Sequence, residues 1–427
     1  MENIKEKIGI LSTFWEYNSS FSLTGVVDHQ LKALLKYGYA PVLFVLTNFK
    51  DEDKVPQGVE IRKIPQIILE PYGEGDISKI EEDSEKVKES LEAQMADINV
   101  CLAHDIIFIN TYLPYNLGMR KAIEGKCSHV KWLHWMHSGP SFAKLDGSVW
   151  DNLHTLPKNS RLVYMNNTDV VRAAEHFHIL PKDVRVISNP MDIREIYNFH
   201  SLTRELIDAN DLMKPDFLAV YPLSTTRMDE IGKKLKKAIW IMAELKKRGN
   251  TVAFVIPNAH ANAEHEKQEI EKMYQFAYDR GLERRELIFT SLHNAPGWEN
   301  GVPHEVIINL FTLSNLFLFP SHSENCPLVL LEAMAGKNEI VLNGDFPAFY
   351  EFGKENALYF RFGSTVAPEP QFPDGENKYY QDIAILIESS MGQNKPLKAQ
   401  TLIRQKFNID YIAQKQLIPA LEEIKND

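Results

Sequence analysis

Two glutamates stand eight residues apart in the segment FLFPSHSENCPLVLLEAMAGKNEIVLNG, residues 317–344. The apolar run before them is typical of a strand that ends at Pro320, because proline cannot continue the hydrogen-bond ladder of a sheet. Pro327 favours the first turn of a helix, where its missing N–H costs nothing. The segment therefore predicts a strand, a polar turn that holds Glu324, and a helix that holds Glu332.

The start of this helix has the features of a ligand site. The N–H groups of Leu328 and Val329 lie in its first turn, where free N–H groups and the helix dipole favour a phosphate. A carboxylate can accept two sugar hydroxyls at once, so Glu324 and Glu332 beside a phosphate fit a nucleotide sugar. Asn325 lies in the same turn, and we expect it to contribute to binding. In the alternative interpretation Glu332 pairs with a lysine and Glu324 only caps the helix.

The elements that position this turn follow from the pattern of the whole chain. Short apolar segments alternate with amphipathic helical segments, which indicates parallel sheets covered by helices on both faces. Residues 192–214 are polar and weakly periodic, and a second alternation starts after Pro215. We therefore predict an α/β protein with two doubly wound Rossmann-like domains, residues 1–200 and 212–398, that face a cleft. In such sheets ligands bind at the carboxyl ends of the strands.

Composition limits the classes of function. The chain has 427 residues and a net charge of −11, which argues against a broad basic surface for nucleic acid. The three cysteines are sparse and lack metal-type spacing, so we expect a reducing, cytoplasmic environment. There is no sign of a signal peptide, and no uncharged apolar run approaches the roughly 18 residues of a membrane span.

The segment PSHSENCPLVLLEAMAGKNEIVLNGDFPAFYE resembles the E-x7-E segment of retaining glycosyltransferases of the family-4 type, which have the GT-B fold. The resemblance implies that Glu324 contacts the transferred sugar and that Glu332 contacts the ribose hydroxyls. It also implies that the backbone N–H groups of Leu328 and Val329 bind the diphosphate. Pro327 departs from the family pattern, where glycine is common.

A second segment, STTRMDEIGKKLKKAIWIMAELKKRG, resembles the Arg…Lys phosphate clamp of the same family. The resemblance assigns the clamp to Arg227 and Lys233, with Lys234 as the reserve candidate. A fixed Arg–Lys pair would stabilise the negative charge of a departing nucleoside diphosphate without a metal ion. The nucleotide base is expected near the segment FTSLHN, at Leu292.

The likeness is weaker in the first half of the chain. SLTGVVDHQLKALL resembles the family's first glycine-rich turn and helix, with Gly25 as its single glycine. WLHWMHSG resembles the segment that places a histidine near the sugar, and His137 fits best, although a buried core histidine is the alternative. The C-terminal residues 400–427 resemble the terminal helix that crosses back onto the first domain.

Together with these features, the resemblance implies a retaining, metal-independent glycosyltransferase, a hexosyl- or pentosyltransferase with Glu324, His137, Arg227 and Lys233 as catalytic residues. The expected donor is a nucleotide diphosphate sugar, a UDP-sugar first, and no cofactor is expected. The acceptor could be a glycan, a lipid-linked glycan or a modified DNA base, and the oligomeric state is open. The alternatives are a phage-type enzyme that glycosylates a hydroxylated DNA base, a nucleotide-sugar epimerase or a phosphorylase on the same fold, and a binding module without activity.

Overall fold

The computed structural model describes residues 6–67, 72–139, 148–229, 231–293, 297–324 and 327–426. It divides into two compact units. Unit 1 comprises Met1–Asp192 with Lys406–Asp427, and unit 2 comprises Ile193–Gln405. Within the described ranges, no helix has the length and apolar character needed to cross a membrane.

The described part of unit 1 contains one parallel sheet of seven strands, in the order β3-β2-β1-β4-β5-β6-β7. The strands are β1 (Lys7–Leu11), β2 (Ala40–Leu46), β3 (Glu60–Ile64), β4 (Val100–His104), β5 (Lys131–Trp135), β6 (Ser160–Tyr164) and β7 (Val184–Val186). The helices are α1 (Ser22–Lys36), α2 (Ile77–Gln94), α3 (Leu113–Glu124) and α4 (Val170–His176). Because helices cover both faces, the central strands are continuously apolar rather than alternating.

The C-terminal residues complete unit 1. They form α14 (Ile409–Ile412), a π-helical segment (Ala413–Leu417) and α15 (Ile418–Lys425). Leu421 and Ile424 are buried in the same core cluster as the β1 residue Ile8. The Lys425 ammonium also pairs with Glu6 at 2.6 Å, so this segment is fixed to the first strand by both packing and charge.

The described part of unit 2 contains a parallel sheet of six strands, in the order β12-β10-β8-β13-β14-β15, and a small sheet of β9 and β11. The strands are β8 (Phe217–Val220), β9 (Leu223–Ser224), β10 (Val252–Ile256), β11 (Asn258–Ala259), β12 (Leu287–Phe289), β13 (Leu316–Phe319), β14 (Glu339–Asn343) and β15 (Leu358–Phe360). The helices are α5 (Ile193–Ile196), α6 (Ser201–Ala209), α7 (Leu235–Lys247), α8 (Glu264–Tyr278), α9 (His304–Leu313), α10 (Leu328–Ala335), α11 (Ala348–Gly353), α12 (Glu376–Gln393) and α13 (Lys395–Lys406).

Residues 192–214, which are polar and weakly periodic in sequence, contain the two short helices α5 and α6. Leu206 and Ile207 of α6 are buried in the core of unit 2, so the division between units falls before this segment rather than after it. The buried guanidinium of Arg404 donates to the carbonyl groups of Leu212 and Met213 at 3.1 and 3.0 Å. Long-range contacts therefore hold a segment whose own apolar pattern is weak.

The prediction of two doubly wound α/β units is confirmed by these two sheets. In each sheet the chain first adds strands toward one edge, then returns to the middle and adds strands toward the other edge. The reversal lies between β1 and β4 in unit 1 and between β8 and β13 in unit 2. Connections at such a switch point leave a crevice at the carboxyl ends of the strands, which is where ligands bind in open α/β sheets.

Candidate active site

The switch point of unit 2 brings together the two segments that the sequence singles out. After β8 the chain runs through β9 and a 3₁₀ turn, Thr225–Arg227, to the start of α7. After β13 it enters the turn that holds Glu324. The N–H of His322 donates to the carbonyl of Gly232 at 3.0 Å, which joins the two segments.

The loop that precedes α7 is closed by its own backbone. The N–H of Lys233 donates to the carbonyl of Arg227 at 2.7 Å, and the N–H of Lys234 donates to the carbonyl of Asp229 at 2.9 Å. A Cβ atom at Gly232 would lie 2.4 Å from the Arg227 carbonyl oxygen, so only glycine fits this close approach. The loop thus fixes Arg227 and Lys233 next to each other, although they are six residues apart in sequence.

Lys233 and Glu324 form an ion pair in this crevice. The Lys233 ammonium donates to Oε1 of Glu324, and the hydroxyl of Ser321 donates to the same oxygen at 3.0 Å. Both side chains are largely buried, with 9% of Lys233 and 16% of Glu324 exposed. The ammonium also lies 5.1 Å from the ring centre of Phe319, a cation–π contact. The contacts hold the two charged groups in one defined geometry.

Arg227 adds a second positive charge. Its side chain is exposed, and its guanidinium has no partner among the residues that the structure describes. Burial lowers the pKa of Lys233 and the charge of Arg227 lowers it further, while the bond to Glu324 opposes both effects. Arg227 and Lys233 thus place two cations near the Glu324 carboxylate, and two neighbouring cations suit an anionic ligand.

Lys234, the reserve candidate for the clamp, has a different role. It adopts a left-handed backbone conformation, with φ of 50°, and its side chain is 1% exposed. Its ammonium donates to the carbonyl of Phe362 at 2.7 Å and also to the carboxylate of Glu369. Lys234 therefore anchors the loop after β15, and of the two lysines it is Lys233 that meets Glu324.

The start of α10 lies just after this turn. Pro327 is its N-cap residue, and its carbonyl accepts the N–H of Leu330 at 2.9 Å. In the described part of the chain, the N–H groups of Leu328 and Val329 have no hydrogen-bond acceptor. The Leu328 side chain is 65% exposed, so this end of the helix is open to solvent. Asn325 lies outside the described residues.

Within the described ranges, Glu332 pairs with a histidine and not with a lysine. Its Oε1 atom lies 2.7 Å from Nε2 of His304, the first residue of α9. Its other oxygen has no partner among the described residues, and 24% of the side chain is exposed. The histidine fixes the orientation of the carboxylate while one oxygen remains able to accept hydroxyl groups.

Asn258, which was not predicted from the sequence, links the 3₁₀ turn that carries Arg227 to the expected base region. Its buried amide donates to the hydroxyl groups of Thr225 and Ser291 at 3.0 and 2.8 Å. Its oxygen accepts the N–H of Ser291 at 3.1 Å. Thr225 begins the 3₁₀ turn that carries Arg227, and Ser291 lies in the 3₁₀ turn Thr290–Leu292, where Leu292 is 46% exposed.

Asn343, at the end of β14, also joins two loops, on the other side of the turn that holds Glu324. Its amide donates to the carbonyl groups of Ser321 and Gly363 at 3.0 and 2.7 Å. Its oxygen accepts the N–H groups of Asp345 and Phe362 at 3.1 and 3.2 Å. All four hydrogen-bonding positions of the amide are used, so Asn343 fixes the Glu324 turn relative to the loop that Lys234 anchors.

In unit 1, His137 follows β5 and contacts the end of the neighbouring strand β4. Its Nε2 atom lies 2.8 Å from Nδ1 of His104, and its backbone N–H donates to Oδ1 of Asp105 at 2.8 Å. Burial lowers the pKa of His137 to about 4 and the pKa of His104 well below its ordinary value, and it raises the pKa of Asp105 to about 6. His137 is thus a partly buried, neutral imidazole at the edge where ligands bind in α/β sheets.

Two other residues of unit 1, His134 and Gly25, lie in different environments. His134 is fully buried in β5, and its Nε2 atom contacts the Ser160 hydroxyl at 3.1 Å, as in a core histidine. Gly25 lies inside the first turn of α1 rather than in a turn before it. A Cβ atom there would meet nothing within 4 Å, so the surrounding protein does not itself require glycine at this position.

Comparison with known proteins gives only distant likenesses. No protein-family model and no curated protein match this sequence. A glycosyltransferase from Rickettsia africae superposes over 99% of both chains, with 12% identity and a TM-score of 0.38. The sucrose-phosphate synthase of Thermosynechococcus elongatus superposes over 98% of both chains, with 14% identity and a TM-score of 0.36. Anabaena HepE in complex with UDP covers 98% of this chain and 100% of its own, with 14% identity and a TM-score of 0.34. At these identities and scores, none of them carries its activity over to this chain.

Proposed function

We propose that the protein is a retaining glycosyltransferase that moves a sugar from a UDP-sugar to an acceptor hydroxyl without a metal ion. The observation that carries this proposal is the meeting of Arg227, Lys233 and Glu324 at the switch point of unit 2, beside the start of α10. Two cations and free helix N–H groups suit a diphosphate, and a carboxylate next to them suits the hydroxyls of a sugar.

In the proposed reaction the donor diphosphate binds Arg227, Lys233 and the N–H groups of Leu328 and Val329. As the bond between the sugar and the diphosphate breaks, negative charge grows on the departing phosphate. Preorganised donors aimed at such a developing charge are each worth about 10²–10³-fold in rate. The phosphate competes with Glu324 for Lys233, which frees Glu324 to accept hydrogen bonds from the sugar.

The remaining assignments are part of the same proposal and rest on the sequence. Glu332 accepts the ribose hydroxyls with the oxygen that His304 leaves free, and the base lies near Leu292. Asn325 contributes to donor binding. The acceptor hydroxyl attacks from the face that the diphosphate leaves and gives its proton to the departing phosphate, so no protein base is required. Unit 1 binds the acceptor, with Gly25 near the ligand and His137 as a neutral hydrogen-bond partner.

Thermal unfolding with and without nucleotides tests the proposal. UDP at about 100 times its Kd should stabilise the protein by about 2.7 kcal/mol, which raises Tm by roughly 5–10 °C for a unit of this size. Arg227→Ala should reduce that shift. Arg285→Ala is the matched control, because Arg285 is 81% exposed and, among the described residues, pairs only with the nearby Glu283. No stabilisation by UDP-, GDP- or ADP-sugars would refute the proposal.

The stereochemistry and the metal requirement need a separate experiment. Proton NMR of the first sugar released or transferred from UDP-glucose should show the anomeric configuration of the donor, in the presence of excess EDTA. An inverted product, or a rate that EDTA abolishes, would contradict that part of the mechanism. Formation of an epimerised nucleotide sugar without any acceptor would favour an epimerase on the same fold.

A further inference from the structure

The contact between His104 and His137 determines where the proton of each neutral ring lies. The Nδ1 atom of His104 and the Nε2 atom of His137 are 2.8 Å apart, which is a hydrogen-bond distance. Both rings are neutral near pH 7, because burial disfavours their charged forms. A neutral imidazole has one N–H and one bare nitrogen, so one ring must donate and the other must accept.

Either His104 or His137 can be the donor in this hydrogen bond, and the second nitrogen of His104 decides between these two arrangements. Its Nε2 atom is buried and has no hydrogen-bond partner among the described residues. If His137 donated, His104 would carry its proton on Nε2, as a buried N–H without an acceptor. If His104 donates, the same atom is only an unpaired acceptor. Buried N–H groups without an acceptor are rarer than unpaired acceptors, so the second arrangement is favoured.

We infer that His104 is a positioning residue, which donates from Nδ1 to His137 and thereby keeps the proton of His137 on Nδ1. His137 then offers one fixed, neutral N–H donor to a ligand. Such a donor suits a hydroxyl group of a sugar or acceptor, and it would not change its charge over the physiological pH range. Only the use of this N–H in transfer rests on the proposed function; the proton positions do not.

The geometry of β4 supports a positioning role for His104. It is the last residue of β4, at the switch point of unit 1, and it is only 2% exposed. The next residue, Asp105, has a left-handed backbone with φ of 59° and accepts the backbone N–H of His137. Two consecutive residues thus hold both the ring and the backbone of His137.

Imidazole ¹⁵N NMR tests the inference directly, because the protonated and bare nitrogens of a neutral ring have widely separated shifts. In ¹⁵N-histidine-labelled protein, the His137 signals, identified by their loss in His137→Gln, should show a protonated Nδ1 and a bare Nε2. His104→Asn should preserve this pattern, since its amide nitrogen can replace Nδ1 as donor. His104→Leu should change it. A protonated Nε2 on His137 in the wild type, or a pattern unaffected by His104→Leu, would overturn the inference.

The kinetic test measures the hydrolysis of UDP-glucose, in which water takes the place of the acceptor. His104→Leu should lower kcat about fivefold, the equivalent of one neutral hydrogen bond, and His104→Asn should recover most of that loss. His134→Leu is the control, because His134 is also fully buried but contacts Ser160 instead. An equal kcat loss in the control would make the effect of His104 structural and contradict positioning. If the wild type does not turn over UDP-glucose, the proposed function fails, while the NMR pattern still decides the proton positions.

Discussion

Replacement of Lys233 by methionine tests the proposed phosphate clamp, because it removes the charge and keeps most of the side-chain volume. Lys233 has two separable roles, one in the structure and one in the proposed function. Its ammonium is the partner of the largely buried Glu324 carboxylate, and in the proposal it binds the diphosphate together with Arg227. The variant should therefore lose both stability and affinity for UDP.

The size of each effect follows from the contacts. Removal of one partner from a buried ion pair costs about 3–5 kcal/mol, and the exposure of Glu324 and its bond to Ser321 reduce this to roughly 2–3 kcal/mol. A hydrogen bond to a charged group is worth about 1.5–3 kcal/mol, so the Kd for UDP should rise about 10- to 150-fold. Glu324→Gln keeps the shape but removes a negative charge beside the phosphate, so UDP should bind about equally well or up to about fivefold more tightly.

Isothermal titration with UDP, together with urea unfolding of each variant, measures these quantities. The two variants separate the proposed site from a purely structural ion pair. If the pair only stabilises the fold, Lys233→Met and Glu324→Gln should both unfold more easily and bind UDP alike. A Kd for UDP within twofold of wild type in a folded Lys233→Met variant would refute the assignment of Lys233.

Three further changes test the elements around the sites. Gly232→Ala places a Cβ atom 2.4 Å from the Arg227 carbonyl, and strain of about 1–3 kcal/mol should displace the loop, so UDP should bind more weakly in titration. Gly392→Ala, with nothing within 4 Å, should bind UDP like the wild type, and equal affinities in the two variants would contradict the loop geometry. Asn343→Leu leaves four backbone groups without their partner and should lower the free energy of unfolding by about 3–5 kcal/mol in urea; a loss below about 1 kcal/mol would contradict its role. Asp105→Asn should flatten the decline of folding stability with pH, because folding raises the pKa of the wild-type carboxyl from 3.8 to about 6. That carboxyl stabilises the folded state most below pH 3.8 and loses this contribution, up to about 3 kcal/mol before solvent screening, as the pH rises to 6. Parallel stability profiles of wild type and variant between pH 4 and 7 would be the contrary result.

The local sequence is sufficient to predict which segments approach the unit 2 site. A buried strand followed by a polar turn and a helix predicts where Glu324 and the start of α10 lie, because parallel strands end at the same edge of a sheet. The spacing between Arg227 and Lys233 does not by itself reveal their proximity. That proximity depends on a loop closed by its own backbone hydrogen bonds and on the lack of a side chain at Gly232.

Other features depend on contacts between distant segments, which one sequence does not display. Asn258 and Asn343 resemble ordinary strand-end residues until the loops that they join are placed beside them. His104 acquires its role only from His137, thirty-three residues later. The helices at residues 193–209 likewise have a weak apolar pattern of their own, and the core of unit 2 supplies the burial that stabilises them.

The most direct test of the central claim is a crystal structure of the protein with UDP bound. The diphosphate should lie between the Arg227 guanidinium, the Lys233 ammonium and the backbone N–H groups of Leu328 and Val329. A bound UDP whose phosphates contact none of these groups would contradict that claim.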